Sequence, residues 1–427
     1  MKRFGGIGFV WSIVAVLAAC SGESGSGTVD ASTDGRVLPI DDASPGETGA
    51  ADAGALEASA EASVDASRDA SIDAADAAPP PQPAVSYIGR WAFSGGEASS
   101  GYPASRMVVR FRGTAAEMTA RDSYGETWLD VTVDGGPPRT VTVAGPSLRI
   151  VSLADALPMG DHVIEASRRT EAFTGVIHVS NVSFPGGGQL LPPLARKTRR
   201  VEIVANSTFD GYGVDGVRGS AECATRAVHN ANRSMIPLLE TALSAEVYAP
   251  SVSGTGILYN ENPQSTELIS VTYPRTIPTR LAPLWDFSTW QPDAVVVVLG
   301  GTDLANPSVD PPPSQAAFAA GYEQFLAQVR GKNPTAHLFA IVPGSVNDDY
   351  PQTDINGQPY LARTKMTGGI AAAIAARTAA GDTKVHTFAI GQTSDAELGA
   401  CAYHPTFAAY QRMTAELAPF MKTTLGW

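Results

Sequence analysis

Residues 201–213 read Val-Glu-Ile-Val-Ala-Asn-Ser-Thr-Phe-Asp-Gly-Tyr-Gly, so Ser207 follows directly on a mostly apolar run. A serine hydroxyl is a poor nucleophile until a base takes its proton, so Ser207 does chemistry only with a partner. Of the six histidines, His404 lies in a suitable loop, Gly-Ala-Cys-Ala-Tyr-His-Pro at 399–405, ahead of a predicted last helix. His337 and His386 begin or lie within predicted strands, His229 falls inside a predicted helix, and His162 and His178 sit in β-textured runs; all five read as structural. Two further loops bear glycines: Ser-Val-Ser-Gly-Thr-Gly at 251–256 and Leu-Gly-Gly-Thr-Asp at 299–303. Glycines such as Gly254 let backbone N–H groups approach a substrate closely. Ser207 taken alone reads as an ordinary loop serine; with His404 and these loops it becomes a candidate nucleophile.

The elements that must position these loops alternate. Strands are predicted at 201–205, 246–249, 294–299, 337–342 and 385–390, and helices at 221–243, 314–330, 364–379 and 406–424 from apolar residues at three- and four-residue spacing. Strands alternating with helices predict a parallel sheet covered on both faces, with the all-apolar run at 294–299 as its central strand. In such a sheet ligands sit at the C-terminal ends of the strands, where all four loops fall. Residues 84–195 differ in texture. Short alternating or β-branched runs at 106–111, 128–133, 140–143 and 162–166, separated by turn signals, predict an antiparallel β-sandwich. A Gly-Gly-Gly to Pro-Pro segment at 186–193 joins it to an α/β domain expected over 196–427.

The first 20 residues are expected to be a leader: Lys2 and Arg3 precede an apolar run at 7–19 that ends in Leu-Ala-Ala-Cys. That ending resembles the bacterial lipobox, which implies cleavage before Cys20 and lipidation of its thiol; the alternative is a plain signal peptide. Residues 21–83 are rich in Ala, Ser, Asp and Gly and carry 13 acids against 2 arginines, which predicts a disordered acidic tether. The formal charge of −13 therefore belongs mainly to the tether, and the folded part offers no case for nucleic acid as partner. With Cys20 lipidated, Cys223 and Cys401 remain, either as a disulfide in an oxidising compartment or as two buried free thiols. A bridge would stabilise by about 5 kcal/mol in the chain-entropy model. Scattered histidines and widely spaced cysteines support no metal site, and the glycine clusters lack a phosphate-loop lysine or the dinucleotide pattern, so no cofactor is expected.

Ser-Thr-Phe-Asp-Gly-Tyr-Gly at 207–213, Gly254, Val-Val-Val-Val-Leu-Gly-Gly-Thr-Asp at 295–303 and His404-Pro405 resemble the ordered blocks of SGNH/GDSL hydrolases. The closer likeness is to carbohydrate esterase family 2, with similar phrases in the sandwich: Tyr-Ile-Gly-Arg at 87–90, Phe-Arg-Gly-Thr at 111–114, Val-Asp-Gly-Gly at 133–136 and Arg-Thr-Glu-Ala at 169–172. The resemblance covers nearly all of 87–427. It implies a flavodoxin-like α/β sheet behind a jelly-roll-like sandwich, with Ser207 as nucleophile and His404 as general base. The oxyanion hole would be formed by the Ser207 N–H, the Gly254 N–H and the residue at 302. It also favours a Cys223–Cys401 disulfide.

Several departures from the family pattern fall at the centre of the motif. Asn206 precedes the serine where the family has aspartate, Thr302 stands for the oxyanion asparagine, and Ala402 replaces the acid two residues before the histidine. Tyr403 keeps the aromatic position beside the histidine, and Asn206, Asp303 and Tyr403 are expected to contact substrate. The reading that results is a monomeric, lipid-anchored serine esterase of a bacterial envelope, facing the periplasm or cell surface and removing O-acetyl groups from polysaccharide of the acetylxylan or acetylmannan type. The alternatives are a catalytically degenerate sugar-binding lipoprotein, or an SGNH esterase acting on lipid or on peptidoglycan acetyl groups.

Overall fold

The computed structural model describes residues 84–427, so the expected leader, Cys20 and acidic tether lie outside the described residues. Ten strands precede the join and an eleventh lies within it: β1 Ser86–Ile88, β2 Ala92–Ser94, β3 Glu97–Ser100, β4 Arg106–Gly113, β5 Ala116–Asp122, β6 Glu126–Val133, β7 Arg139–Ala144, β8 Arg149–Ala154, β9 Gly160–Arg168, β10 Ile177–Ser183 and β11 Gln189–Leu190. They form two antiparallel sheets, ordered β1-β4-β9-β6-β7 with β11 on β4, and β2-β3-β10-β5-β8. Strand β5 shows why: Ala116, Met118 and Ala120 point inward while Glu117, Thr119 and Arg121 point away, the period of a half-buried strand. The inward residues meet Met107, Val109 and Phe111 of β4 in the sandwich core.

The second half carries β12 Arg200–Ala205, β13 Glu246–Tyr248, β14 Ala294–Val298, β15 His337–Val342 and β16 Val385–Ala389, all parallel in the order β13-β12-β14-β15-β16. Its helices are α1 Ser207–Asp210, α2 Met235–Leu243, α3 Ile269–Thr272, α4 Gly301–Leu304, α5 Gln315–Lys332, α6 Ala362–Ala379 and α7 Phe407–Leu425. Strand β14 is buried along its whole length, as its unbroken apolar sequence requires. Ala294, Val296 and Val298 face the core shared with α2 and α7, whereas Val295 and Val297 face that shared with α5 and α6. No helix among the described residues is long and apolar enough to cross a membrane.

One helix is shorter than its pattern. The helix expected over 221–243 is limited to Met235–Leu243, and short turns at Ala221–Ala224, Arg226–Val228 and Ala231–Arg233 fill the rest. Ser234 starts the helix, its hydroxyl accepting from the Ile236 N–H at 3.1 Å. Upstream, backbone groups are spent elsewhere: Arg169 of the sandwich donates to the carbonyls of Ala227 and His229.

The sandwich is joined to the α/β half through buried charge. Arg90, 1% exposed, donates at 2.8 Å to Glu202 of β12, also 1% exposed, and at 3.0 Å to the Arg275 carbonyl. The second Glu202 oxygen accepts from the Tyr273 hydroxyl at 2.8 Å. Both ends of the pair are thus hydrogen-bonded, the condition under which a buried ion pair can be held.

Candidate active site

Ser207 is the first residue of α1, directly beyond the C-terminal end of β12, and is partly exposed. Asn206 caps the turn, its Oδ1 accepting from the Thr208 hydroxyl at 3.1 Å. The chain then passes through Tyr212 and Gly213. Gly213 has φ +64°, and a Cβ there would lie 2.5 Å from the Cys401 Cβ, so only glycine lets this turn close against the histidine loop.

His404 ends a tight turn in which Ala402 and Tyr403 adopt left-handed φ values of +52° and +59°. This geometry brings the carbonyls of Cys401 and Ala402 each to 3.1 Å from His404 Nδ1. Both partners are acceptors, so Nδ1 carries the proton and Nε2 keeps its lone pair. The backbone thus does here what an acid at 402 would otherwise do. Burial pushes the imidazole pKa down to about 4, against the two carbonyls that favour the charged form, so the ring is neutral at pH 7. Tyr212, from the serine turn, packs against His404 with ring centroids 4.7 Å apart, and its other neighbour is His229 at 4.4 Å. His229 accepts from the Gly213 N–H at 3.0 Å and is held neutral by burial. The serine and histidine loops are therefore packed through Tyr212.

A disulfide joins Cys223 to Cys401, Cα atoms 5.4 Å apart, three residues before His404. The Cys401 N–H donates to the Gly213 carbonyl at 3.3 Å. The histidine loop is consequently tied both to the serine turn and to the segment ahead of α2.

Gly254 lies in the loop after β13 with φ +76°, and its carbonyl accepts from the Glu261 N–H at 2.8 Å. The Val252 N–H donates to the Ala205 carbonyl at 3.2 Å, anchoring this loop to the strand that delivers Ser207. Thr302, partly exposed, lies opposite. Its Oγ1 accepts from Asn206 Nδ2 at 3.0 Å and donates to the Thr255 carbonyl at 3.2 Å, which Asn206 Nδ2 also reaches at 3.1 Å.

Two of the residues expected to contact substrate are buried. Asn206, 2% exposed, is occupied with Thr302, Thr255 and Thr208. Asp303 is fully buried and accepts the N–H groups of Ile257, Leu258 and Tyr259 at 3.0, 2.6 and 2.9 Å, which shapes the loop following Gly254. Tyr403 differs: it is 60% exposed, with the Arg218 guanidinium 4.5 Å from its ring and Tyr350 stacked at 6.5 Å. Sequence reasoning missed Tyr212 and His229. The Gly-Tyr-Gly phrase was the available signal for Tyr212, whereas nothing local marks His229 as its neighbour.

A cavity of about 300 Å³ borders the site, with Gly254, Asn260 and Glu261 on one side and Ala172 and Phe173 of the sandwich on the other. Ser207 and His404 are not in its lining, which takes in the Gly254 loop beside them. Among the described residues no group of three or more His, Cys, Asp or Glu side chains could hold a metal ion.

A parallel sheet with a serine turn after β12 and a histidine ahead of α7, preceded by a β-sandwich, defines the SGNH class of α/β domain. Residues 87–193 match the family model described as carbohydrate esterase 2 N-terminal. The chain is similar to Cellulase/esterase CelE of Acetivibrio thermocellus, 28% identical over 348 residues, which cover 81% of this chain and 40% of CelE. It thus spans less than half the length of that relative. An acetylxylan esterase / glucomannan deacetylase of Cellvibrio japonicus is 24% identical over 329 residues, covering 77% of this chain and 85% of the relative. Among solved structures, a family two carbohydrate esterase from Clostridium thermocellum in complex with cellohexaose superimposes with a TM-score of 0.70 at 28% identity, covering 80% of this chain and 99% of that one. The chain is thus similar to carbohydrate esterase family 2, by the family model over its sandwich and by these relatives over about four fifths of its length.

Proposed function

We propose that this protein is a serine esterase that removes O-acetyl groups from a polysaccharide. The observation that carries the reading is His404, neutral, with Nδ1 pinned by two backbone carbonyls and Nε2 left as the acceptor for a serine proton. In this mechanism Nε2 takes the Ser207 proton as Oγ attacks the acetyl carbonyl. The N–H groups of Ser207 and Gly254 and the Thr302 hydroxyl receive the developing oxyanion. Thr302 Oγ1 can turn to it because the Thr255 carbonyl keeps its bond from Asn206. His404 then returns the proton to the departing sugar oxygen, and water, activated by the same imidazole, hydrolyses the acetyl-serine ester. Exposed Tyr403 beside the histidine offers an apolar face for a sugar ring.

The substrate class rests on relatives described as an acetylxylan esterase / glucomannan deacetylase and as an esterase in complex with cellohexaose. The leader and Cys20 support export and lipid anchoring, with the acidic segment as the spacer to the folded part. The purified protein should release acetate from acetylated xylan or mannan, and Ser207→Ala should abolish release; equal turnover by that variant would refute the mechanism. A second reading, a sugar-binding protein with little turnover, is favoured by the commitment of the Thr302 proton to Thr255. Glycan binding with no acetate released from any acetyl ester would establish it instead.

A further inference from the structure

Two carboxyl groups outside the mechanism meet behind the reacting loops. Glu171 comes from the sandwich, in the segment after β9, and Asp210 ends the α1 turn three residues after Ser207. They are 2% and 1% exposed. Their carboxyl groups converge on one hydroxyl, that of Ser253. Ser253 Oγ completes the cluster, 2.7 Å from Glu171 Oε2 and 3.3 and 3.4 Å from the two Asp210 oxygens. Ser253 immediately precedes Gly254.

The single Ser253 proton cannot satisfy two carboxylates at once, and two adjacent buried anions repel strongly, so the cluster calls for a further proton. The charged and titratable groups facing the pair do not remove that demand. Arg168, buried beside Glu171, spends its guanidinium on the carbonyls of Thr170, Glu171 and Gly175 and the hydroxyls of Thr127 and Thr174. Tyr410 of α7 and Tyr212 both have phenols raised by burial and stay neutral. Burial, followed by the neighbouring Asp210 charge, raises the Glu171 carboxyl well above its ordinary range; burial raises Asp210 to about 7, opposed by hydrogen bonds to its charged form. Both carboxyls are thus pushed toward the protonated form, Glu171 the more strongly, and the pair holds a proton.

We propose that Glu171 and Asp210 are positioning residues, a one-proton clasp through which the sandwich holds Ser253, and with it the Gly254 N–H, against the turn that begins at Ser207. The clasp makes the sandwich part of the catalytic apparatus without any sandwich residue touching the reacting atoms. Its role in turnover rests on the esterase reading above; the shared proton does not. When the pH rises far enough to remove that proton, repulsion between the carboxylates separates the three elements and the oxyanion site loses register.

The test combines two readouts on the full chain. Glu171→Ala removes the clasp and is expected to lower kcat roughly ten- to a hundredfold, the scale of a misplaced oxyanion donor, with KM nearly constant. Glu171→Gln keeps a donor and an acceptor without a titrating proton; it is expected to rescue kcat to within a few-fold of the parent and to move the alkaline limb of the kcat profile up by about one pH unit or more. If Glu171→Gln leaves the alkaline limb unmoved, or if both variants only lower the melting temperature while the folded enzyme keeps its kcat, the proposal is overturned. The second readout is independent of turnover. Difference infrared spectra in a Ser207→Ala background should show a protonated-carboxyl stretch near neutral pH that Glu171→Gln removes. That band without acetate release from the parent protein would retain the shared proton and refute the esterase reading, whereas its absence would refute the clasp whatever the activity.

Discussion

Asn206 Nδ2 lies 3.0 Å from Thr302 Oγ1, so the residue preceding Ser207 reaches across to the residue proposed for the oxyanion hole. Asn206 fills one lone pair of the hydroxyl and leaves its single proton to choose between the Thr255 carbonyl and a substrate oxyanion. Removing an oxyanion donor typically costs about 2.7 to 4 kcal/mol in the transition state. Thr302→Ala should therefore lower kcat about a hundredfold with little change in KM, and Thr302→Ser should retain most of it. Unchanged kcat in Thr302→Ala would show that the hydroxyl does not serve the oxyanion.

The pH profile should carry an acidic limb set by His404. Its pKa is lowered to about 4, so the imidazole is neutral and able to accept a proton throughout the mildly acidic range. Activity should hold as pH falls from 7 and drop only as pH passes through about 4. For stability the sign is the same: the unfolded imidazole, near 6.5, binds a proton that the folded ring resists, so its contribution falls as pH is lowered through that window. An acidic limb centred near 6.5 instead would mean that the ring is solvated as an ordinary histidine.

Cys401 supplies one of the two carbonyls that orient His404, and the disulfide to Cys223 holds it in place. Loss of the bridge in Cys223→Ala should destabilise the domain by about 2 to 5 kcal/mol and also reduce kcat, because the imidazole loses its fixed rotamer. Thermal unfolding and acetate release on reduced and oxidised protein would measure both effects. A lower melting temperature with full kcat would confine the bridge to stability.

The buried Arg90–Glu202 pair joins the sandwich to the strand that delivers Ser207. Breaking one side, as in Arg90→Met, should cost about 3 to 5 kcal/mol because the carboxylate is left buried and unpaired. Arg90→Met with Glu202→Gln should cost less than the sum of the single variants, measured by denaturant unfolding. Additive losses would indicate that the two side chains do not stabilise one another.

Much of the architecture was legible because its signals are local. Alternation in β5, the unbroken apolar β14 and three- to four-residue spacing in α5, α6 and α7 are written within a few neighbouring residues. The same short range placed Ser207 at a strand end and His404 ahead of the last helix. The helix expected over 221–243 shows the limit: its first half has helical spacing, yet its carbonyls go to Arg169 of another domain and its start waits for Ser234.

What the sequence by itself determined, then, was which segments become strands and helices and which residue types arrive at the C-terminal edge of the sheet, since propensity, period and turn chemistry depend on adjacent residues. Only the tertiary structure decided how those residues are committed. It buried Asn206 and Asp303, set two carbonyls behind His404, turned the Thr302 proton toward Thr255, and brought Glu171 of the sandwich and Asp210 of the serine turn to the one hydroxyl of Ser253. Burial, protonation and hydrogen-bond partnership are set by groups far apart in the chain, 96 residues for Asn206 and Thr302 and 112 for Arg90 and Glu202, and no local pattern encodes which of them will meet.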